Sequence, residues 1–175
     1  MLISLSEVMN LPGGSRDFEA EYGPDTVSIG GNIYDIVQKS PVAVTIKNGK
    51  GRKIHVSAQG TFDFSVPCDR CRAMQIVTVP VDFSREIDMN KSSRERAEEL
   101  DDTEYITGYD LDVDRLVYEE ILLGFPMKVL CSEDCKGTCI ICGHNLNLGE
   151  CGCDRTEPDP RMAVIRDIFK KTKEV

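Results

Sequence analysis

"VAVTIKNGKGRKIHVSAQGTFDFSVPCDRC", Val42 to Cys71, alternates apolar and polar residues with a period of two, the repeat of a strand with one buried face. Val42, Val44 and Ile46 share one face of a first strand, and Asn48-Gly49 is a strong hairpin-turn signal. The return arm is longer. Ile54, Val56, Ala58, Phe62, Phe64 and Val66 are all even-numbered, with Gly60 a candidate bulge or bend. Beyond "PCDRCRA" the alternation resumes on odd numbers, with Val77, Val79, Val81, Phe83, Ile87 and Met89 on one face. This pattern predicts long antiparallel strands, with Cys68-x-x-Cys71 in a turn between two of them. His55, at an odd position, is expected opposite the apolar face and exposed.

Upstream, "TVSIGGNIYDIV" (Thr26 to Val37) can supply one or two further strands around Gly30-Gly31. "NKSSRERAEELDDTEY" (Asn90 to Tyr105) is charged and carries no core pattern, as expected of an exposed loop, short helix or disordered connection. "DLDVDRLVYEEILLGFP" predicts a helix from about Asp112 to Leu123, with Leu116, Val117, Ile121 and Leu122 as its apolar flank and Gly124 and Pro126 as its stop. A second helix is expected from Asp159, with Pro160 in its first turn and Met162, Ile165, Ile168 and Phe169 on its buried face. The fold class that follows is α+β: an antiparallel sheet or partial barrel, then helices and a Cys-rich zinc-binding segment. Residues 1–89 form the mainly antiparallel β region, 90–110 a charged connection, and 111–175 a helical and zinc-binding region packed on the β region as one domain.

The 175 residues carry a formal net charge of -9, so a dominant nucleic-acid surface is not expected and any RNA contact must be a local patch. The start "MLISLSEVMNLPGG" has no basic n-region or long apolar run, which argues against a secretory signal, and no segment approaches a membrane span. A reducing, cytoplasmic location is expected. There, clustered thiols more often hold metal than form structural disulfides.

Six of the eight cysteines lie in "LCSEDCKGTCIICGHNLNLGECGCD", Leu130 to Asp154. Cys139-x-x-Cys142-Gly143 has the form of a zinc knuckle, which Cys151-x-Cys153 can complete across the intervening loop. Cys68, Cys71, Cys131 and Cys135 remain, two half-sites that together make a second tetrathiolate. One zinc ion is expected and a second follows from the count, with ligand exchange among Cys131, Cys135 and Cys139 left open. The spacing matches neither common ferredoxin pattern. A redox role for Cys68/Cys71, as thiol-disulfide catalyst or zinc-linked sensor, is the alternative, but thioredoxin-like pairs belong in a strand-to-helix turn of a βαβ unit. His144 is expected to face solvent rather than metal.

No other chemistry emerges. Two histidines leave little room for a nucleophilic relay, and no P-loop or dinucleotide fingerprint is present. "DLDVD" opens like a calcium loop, but Arg115 stands where Gly is needed and Ile121 where Glu is needed. A tetrathiolate metal has no open coordination position, so no enzyme is expected. Lys47, Lys50, Arg52 and Lys53, at the hairpin tip with no acid among them, are candidate phosphate contacts, although a solvated turn has the same composition.

The order "CDRC", "EEILLGFP", the cysteine run and "DPRMAVIRDIF", from about Pro41 to Phe169, resembles the bacterial YceD family, also called large ribosomal RNA subunit accumulation proteins. The resemblance implies a cytoplasmic, non-enzymatic factor supporting synthesis, processing or accumulation of large-subunit ribosomal RNA, with all eight cysteines as motif positions. Its partners would be a ribosomal precursor, a ribosomal protein or rRNA, with no membrane and no small-molecule substrate.

Overall fold

A computed structural model describes residues 1–10, 13–91 and 105–153. The chain divides into two compact units: Met1–Pro67 with Met74–Val129, and Cys68–Ala73 with the chain from Leu130 on.

The first unit is built on β6 (Lys53–Pro67), whose even-numbered residues from Ile54 to Val66, Gly60 apart, are buried. Along one whole edge it pairs antiparallel with β7 (Met74–Asp88). Its other edge is shared. β5 (Val42–Asn48) pairs with residues 54–59 and β4 (Asn32–Lys39) with residues 62–65. β2 (Ser15–Ala20) extends the sheet beyond β5, and β3 (Thr26–Ile29) extends it beyond β4. The Gly30-Gly31 turn of the β3–β4 hairpin has φ of 58° and 82°, the double left-handed conformation that two-residue hairpin loops require and glycine supplies.

The β6–β7 register runs unbroken through Gly60; the irregularity lies in β4, between Ile36 and Gln38. Gly60 instead permits close packing, since a Cβ there would meet the buried Val42 Cγ2 at 3.1 Å.

A smaller sheet covers part of the core: β1 (Leu2–Ser4), β9 (Asp110–Asp112) and β8 (Ile106–Thr107), in the order β1-β9-β8. α1 (Ser6–Met9) follows β1, and α2 (Val113–Gly124) follows β9. Asp112 caps α2, its carboxylate accepting from the Arg115 N–H at 3.3 Å. The helix expected from about Asp112 to Leu123 is observed with Asp112 as its cap, and the residues just before it, Asp110 and Leu111, lie in β9. Leu116, Val117 and Ile121 are buried as expected, whereas Leu122 is 38% exposed, because the buried stripe of a single packed helix is only about 100° wide. A Cβ on Gly124 would lie 3.0 Å from Val79 Cγ1, so glycine here lets the helix end approach β7.

Phe62, Phe64, Ile46, Ile54, Leu5, Val8, Leu111, Leu116 and Ile121 join one core beneath the large sheet. At about 1.5–3 kcal/mol for each large side chain taken from water, this core is the main stabilising term of the unit. The charged stretch expected over 90–105 falls largely at 92–104, outside the described residues, as does the helix expected from Asp159. No described helix is long and apolar enough to cross a membrane.

Candidate metal centres

All eight cysteines lie in the second unit. They gather as two sets of four, Cys68, Cys71, Cys131 and Cys135, and Cys139, Cys142, Cys151 and Cys153. Within each set the sulfur atoms lie within 4.8 Å of one another. The Cys139 set is the grouping expected from spacing and the Cys68 set the one expected from the count of what remained; no cysteine is exchanged between them.

Each set is organised by a knuckle of the same design. In the first, Arg72 N–H donates to the Cys68 carbonyl at 2.9 Å and Cys68 N–H to the Ala73 carbonyl at 2.8 Å. In the second, Gly143 N–H donates to the Cys139 carbonyl and Cys139 N–H to the His144 carbonyl, both at 2.8 Å. Both knuckles turn through the left-handed region one residue after the second cysteine, at φ 62° for Arg72 and 74° for Gly143. Glycine adopts this conformation freely, whereas a side chain there costs about 1–2 kcal/mol. The glycine marked one knuckle in the sequence and the arginine masked the other.

The first knuckle meets the segment after Leu130 through polar backbone contacts. Arg70 Nη1 donates to the carbonyls of Cys135 at 3.0 Å and Glu133 at 3.3 Å, and its own carbonyl accepts from Thr138 N–H at 3.1 Å. Cys131 N–H points at Cys68 Sγ (3.4 Å), and Asn147 Nδ2 donates to Cys135 Sγ (3.3 Å) while its Oδ1 accepts from Lys136 N–H (2.8 Å). Asn147 was not marked by sequence reading, and no role in tying the two half-sites together was expected of Arg70. Both roles depend on where the fold brings the cysteines, which spacing alone does not contain.

The donor chemistry fits a tetrahedral metal. Metal–sulfur bonds of about 2.3 Å, as zinc makes, give a tetrahedron with sulfur–sulfur edges of about 3.8 Å. Cys68 and Cys135 sulfurs are 3.8 Å apart and those of Cys71 and Cys131 3.5 Å, far beyond the roughly 2.05 Å of a disulfide.

Charge leads the same way. Backbone N–H groups of Cys71 and Arg70 hold the Cys68 thiol down at about 6, and those of Cys142 and Ile141 do the same for Cys139, also to about 6. The Asn147 amide lowers Cys135. Hydrogen bonding to Cys135 and Cys71 instead raises Cys131 to about 12, and hydrogen bonding to Cys142 raises Cys153 to about 12. Four adjacent sulfurs cannot all be anions without a cation among them, so each set keeps a proton that a divalent metal would replace.

The sets differ in access. Cys68, Cys71 and Cys135 are buried and Cys131 half-buried; in the other set Cys139 is buried, Cys151 and Cys153 half-buried and Cys142 exposed. His144 is exposed, with its backbone carbonyl rather than its ring tied to the knuckle.

The family model described as large ribosomal RNA subunit accumulation protein YceD matches residues 56–169. The chain belongs to the YceD family. The YceD match begins at Val56 rather than near Pro41 and spans both cysteine sets. The uncharacterised protein YlbN of Bacillus subtilis (strain 168) is 31% identical over 150 residues, 80% of this chain and 81% of that protein. A chloroplastic protein of Arabidopsis thaliana, large ribosomal RNA subunit accumulation protein YCED homolog 1, is 26% identical over 65 residues, 37% of this chain and 20% of that protein. No solved structure matches.

Proposed function

We propose that this YceD-family chain is a non-enzymatic ribosome-biogenesis factor that supports accumulation of large-subunit ribosomal RNA in the cytoplasm, with two zinc ions stapling its cysteine unit. The observation that carries the reading is the match over residues 56–169 to a family described as large ribosomal RNA subunit accumulation proteins, a span that includes all eight cysteines. Cys68, Cys71, Cys131 and Cys135 would hold one ion, and Cys139, Cys142, Cys151 and Cys153 the other. Bound zinc supplies folding free energy and, with four thiolates, offers no open position for a substrate or water. Burial of Cys68 and Cys71, at 0% and 5% exposure, counts against turnover of an external disulfide at that pair. The acidic balance of the chain favours a basic ribosomal protein or a precursor particle as partner alongside a local RNA contact.

Sedimentation of the tagged protein from a gentle, low-salt lysate, with and without RNase, tests the role. Comigration with large-subunit precursors is the expected result. A protein that stays at the top of the gradient under both conditions contradicts it.

A further inference from the structure

The basic hairpin tip divides into two environments. Lys47 and Lys53 lie on the outer face of the sheet, where the Lys53 ammonium is 2.5 Å from the Glu86 carboxylate and His55 Nε2 is 3.4 Å from its other oxygen. Lys50 and Arg52 instead line a cleft of about 950 Å³ between the β5–β6 turn and the end of α1, with Met9 and Asn10 on the opposite wall. A smaller hollow of about 170 Å³ adjoins it, sharing Met9, Asn10 and Arg52 and reaching Tyr109, whose ring is 48% exposed.

The walls are fixed by hydrogen bonds. Asn48 Nδ2 donates to the carbonyls of Val8 at 3.2 Å and Met9 at 3.0 Å, tying α1 to the turn. Arg52 Nη2 donates to the Tyr109 hydroxyl at 3.2 Å, which leaves most of its five N–H donors for a ligand. Among the described residues, Lys50 has no carboxylate partner and no acidic side chain lines either hollow. On a chain of net charge -9, a cleft whose described lining offers two cations, an apolar floor and an exposed aromatic ring has the recognition elements of a single-stranded nucleic acid: charge for phosphate, a ring for a base.

We propose that the paired hollows bind single-stranded RNA, with backbone phosphates on Lys50 and Arg52 and a base against the Tyr109 ring. This rests on the rRNA-linked role proposed above, and it assigns the RNA contact to a place outside the cysteine unit.

The experiment titrates the full-length, zinc-loaded protein into a short, labelled, mixed-sequence single-stranded RNA and follows fluorescence anisotropy over a range of salt concentrations. Two phosphate contacts give a slope of log K against log salt of about -1.4. Lys50→Glu and Arg52→Glu should each weaken binding by about tenfold or more and flatten the slope by about 0.7. Tyr109→Ala should cost about fivefold or more and Tyr109→Phe little. Lys128→Glu, an exposed charge reversal after α2, should stay within about twofold, and thermal melts of each variant separate lost binding from lost folding.

Wild-type protein that does not bind the RNA overturns the proposal. So does Lys128→Glu weakening binding as much as Lys50→Glu, or an acidic peptide probe being captured where the RNA is not. Cosedimentation with precursors alongside a failed RNA titration would remove this cleft and leave the broader role standing; RNA binding without cosedimentation would do the reverse.

Discussion

Arg72 and Gly143 occupy the same position in two knuckles that share no sequence beyond their cysteines, yet both are held at positive φ. Arg72→Gly should therefore stabilise the first metal centre, by about 1 kcal/mol, seen as a higher chelator concentration at half release. Unchanged or weaker retention would mean that the arginine side chain contributes more than its backbone costs. Gly137 is the opposite case: φ is 78° and an added Cβ would lie 3.2 Å from the Arg70 carbonyl, which accepts from Thr138. Gly137→Ala should lower metal retention by about tenfold while leaving the number of ions unchanged. Asn147→Ala removes a donor to the Cys135 sulfur and should weaken the same centre by about 10–100-fold, the usual effect of losing a group that orients a ligand. In metal-free, reduced protein, the Cys68 and Cys139 thiols are lowered from 9.0 to about 6. Depressed values mean that the folded unit's preference for thiolate is present above the ordinary thiol range and is lost as pH falls through about 6. Thiolate absorbance should show a first step near pH 6; a single step near 9 would contradict the knuckle geometry.

Elements were legible where one period dominated. The even-numbered apolar set of β6 and the odd-numbered set of β7 reported strand type and buried face directly, since a one-residue slip would expose every one of those side chains. β1, β8 and β9 escaped because two or three residues hold no measurable period, and β2 because "SRDFEA" is polar on both faces apart from Phe18 and Ala20. The Cys139 set was readable from spacing and the Cys68 set only from the count of what remained; their unequal exposure was not readable. That inequality carries an element-level expectation. The Cys139 set, with Cys142 exposed, should release metal and react with an alkylating reagent before the buried Cys68 set, as mapped by mass spectrometry of peptides after timed chelation. Earlier labelling of Cys68 and Cys71 would reverse the assignment. On the other unit, Arg85 of β7 reaches Glu119 and Glu120 of α2 and lies over the rings of Phe83 and Tyr105. Arg85→Ala should lower stability by about 1–2 kcal/mol in urea unfolding, because two half-buried carboxylates lose their counter-charge.

For the whole molecule, the first unit has a packed core of its own, while the described part of the second is poor in apolar burial apart from its cysteines. Cysteine sulfurs join Cys68 and Cys71 to residues 60 or more positions later, so an ion there closes a long loop that backbone hydrogen bonds alone hold weakly. Native mass spectrometry of the intact chain tests this most directly. Two zinc ions per wild-type chain are expected, falling to one in Cys68→Ser/Cys71→Ser and to one in Cys142→Ser/Cys153→Ser. A wild-type chain that binds no zinc, or a count that either double variant leaves unchanged, would contradict the two-staple account.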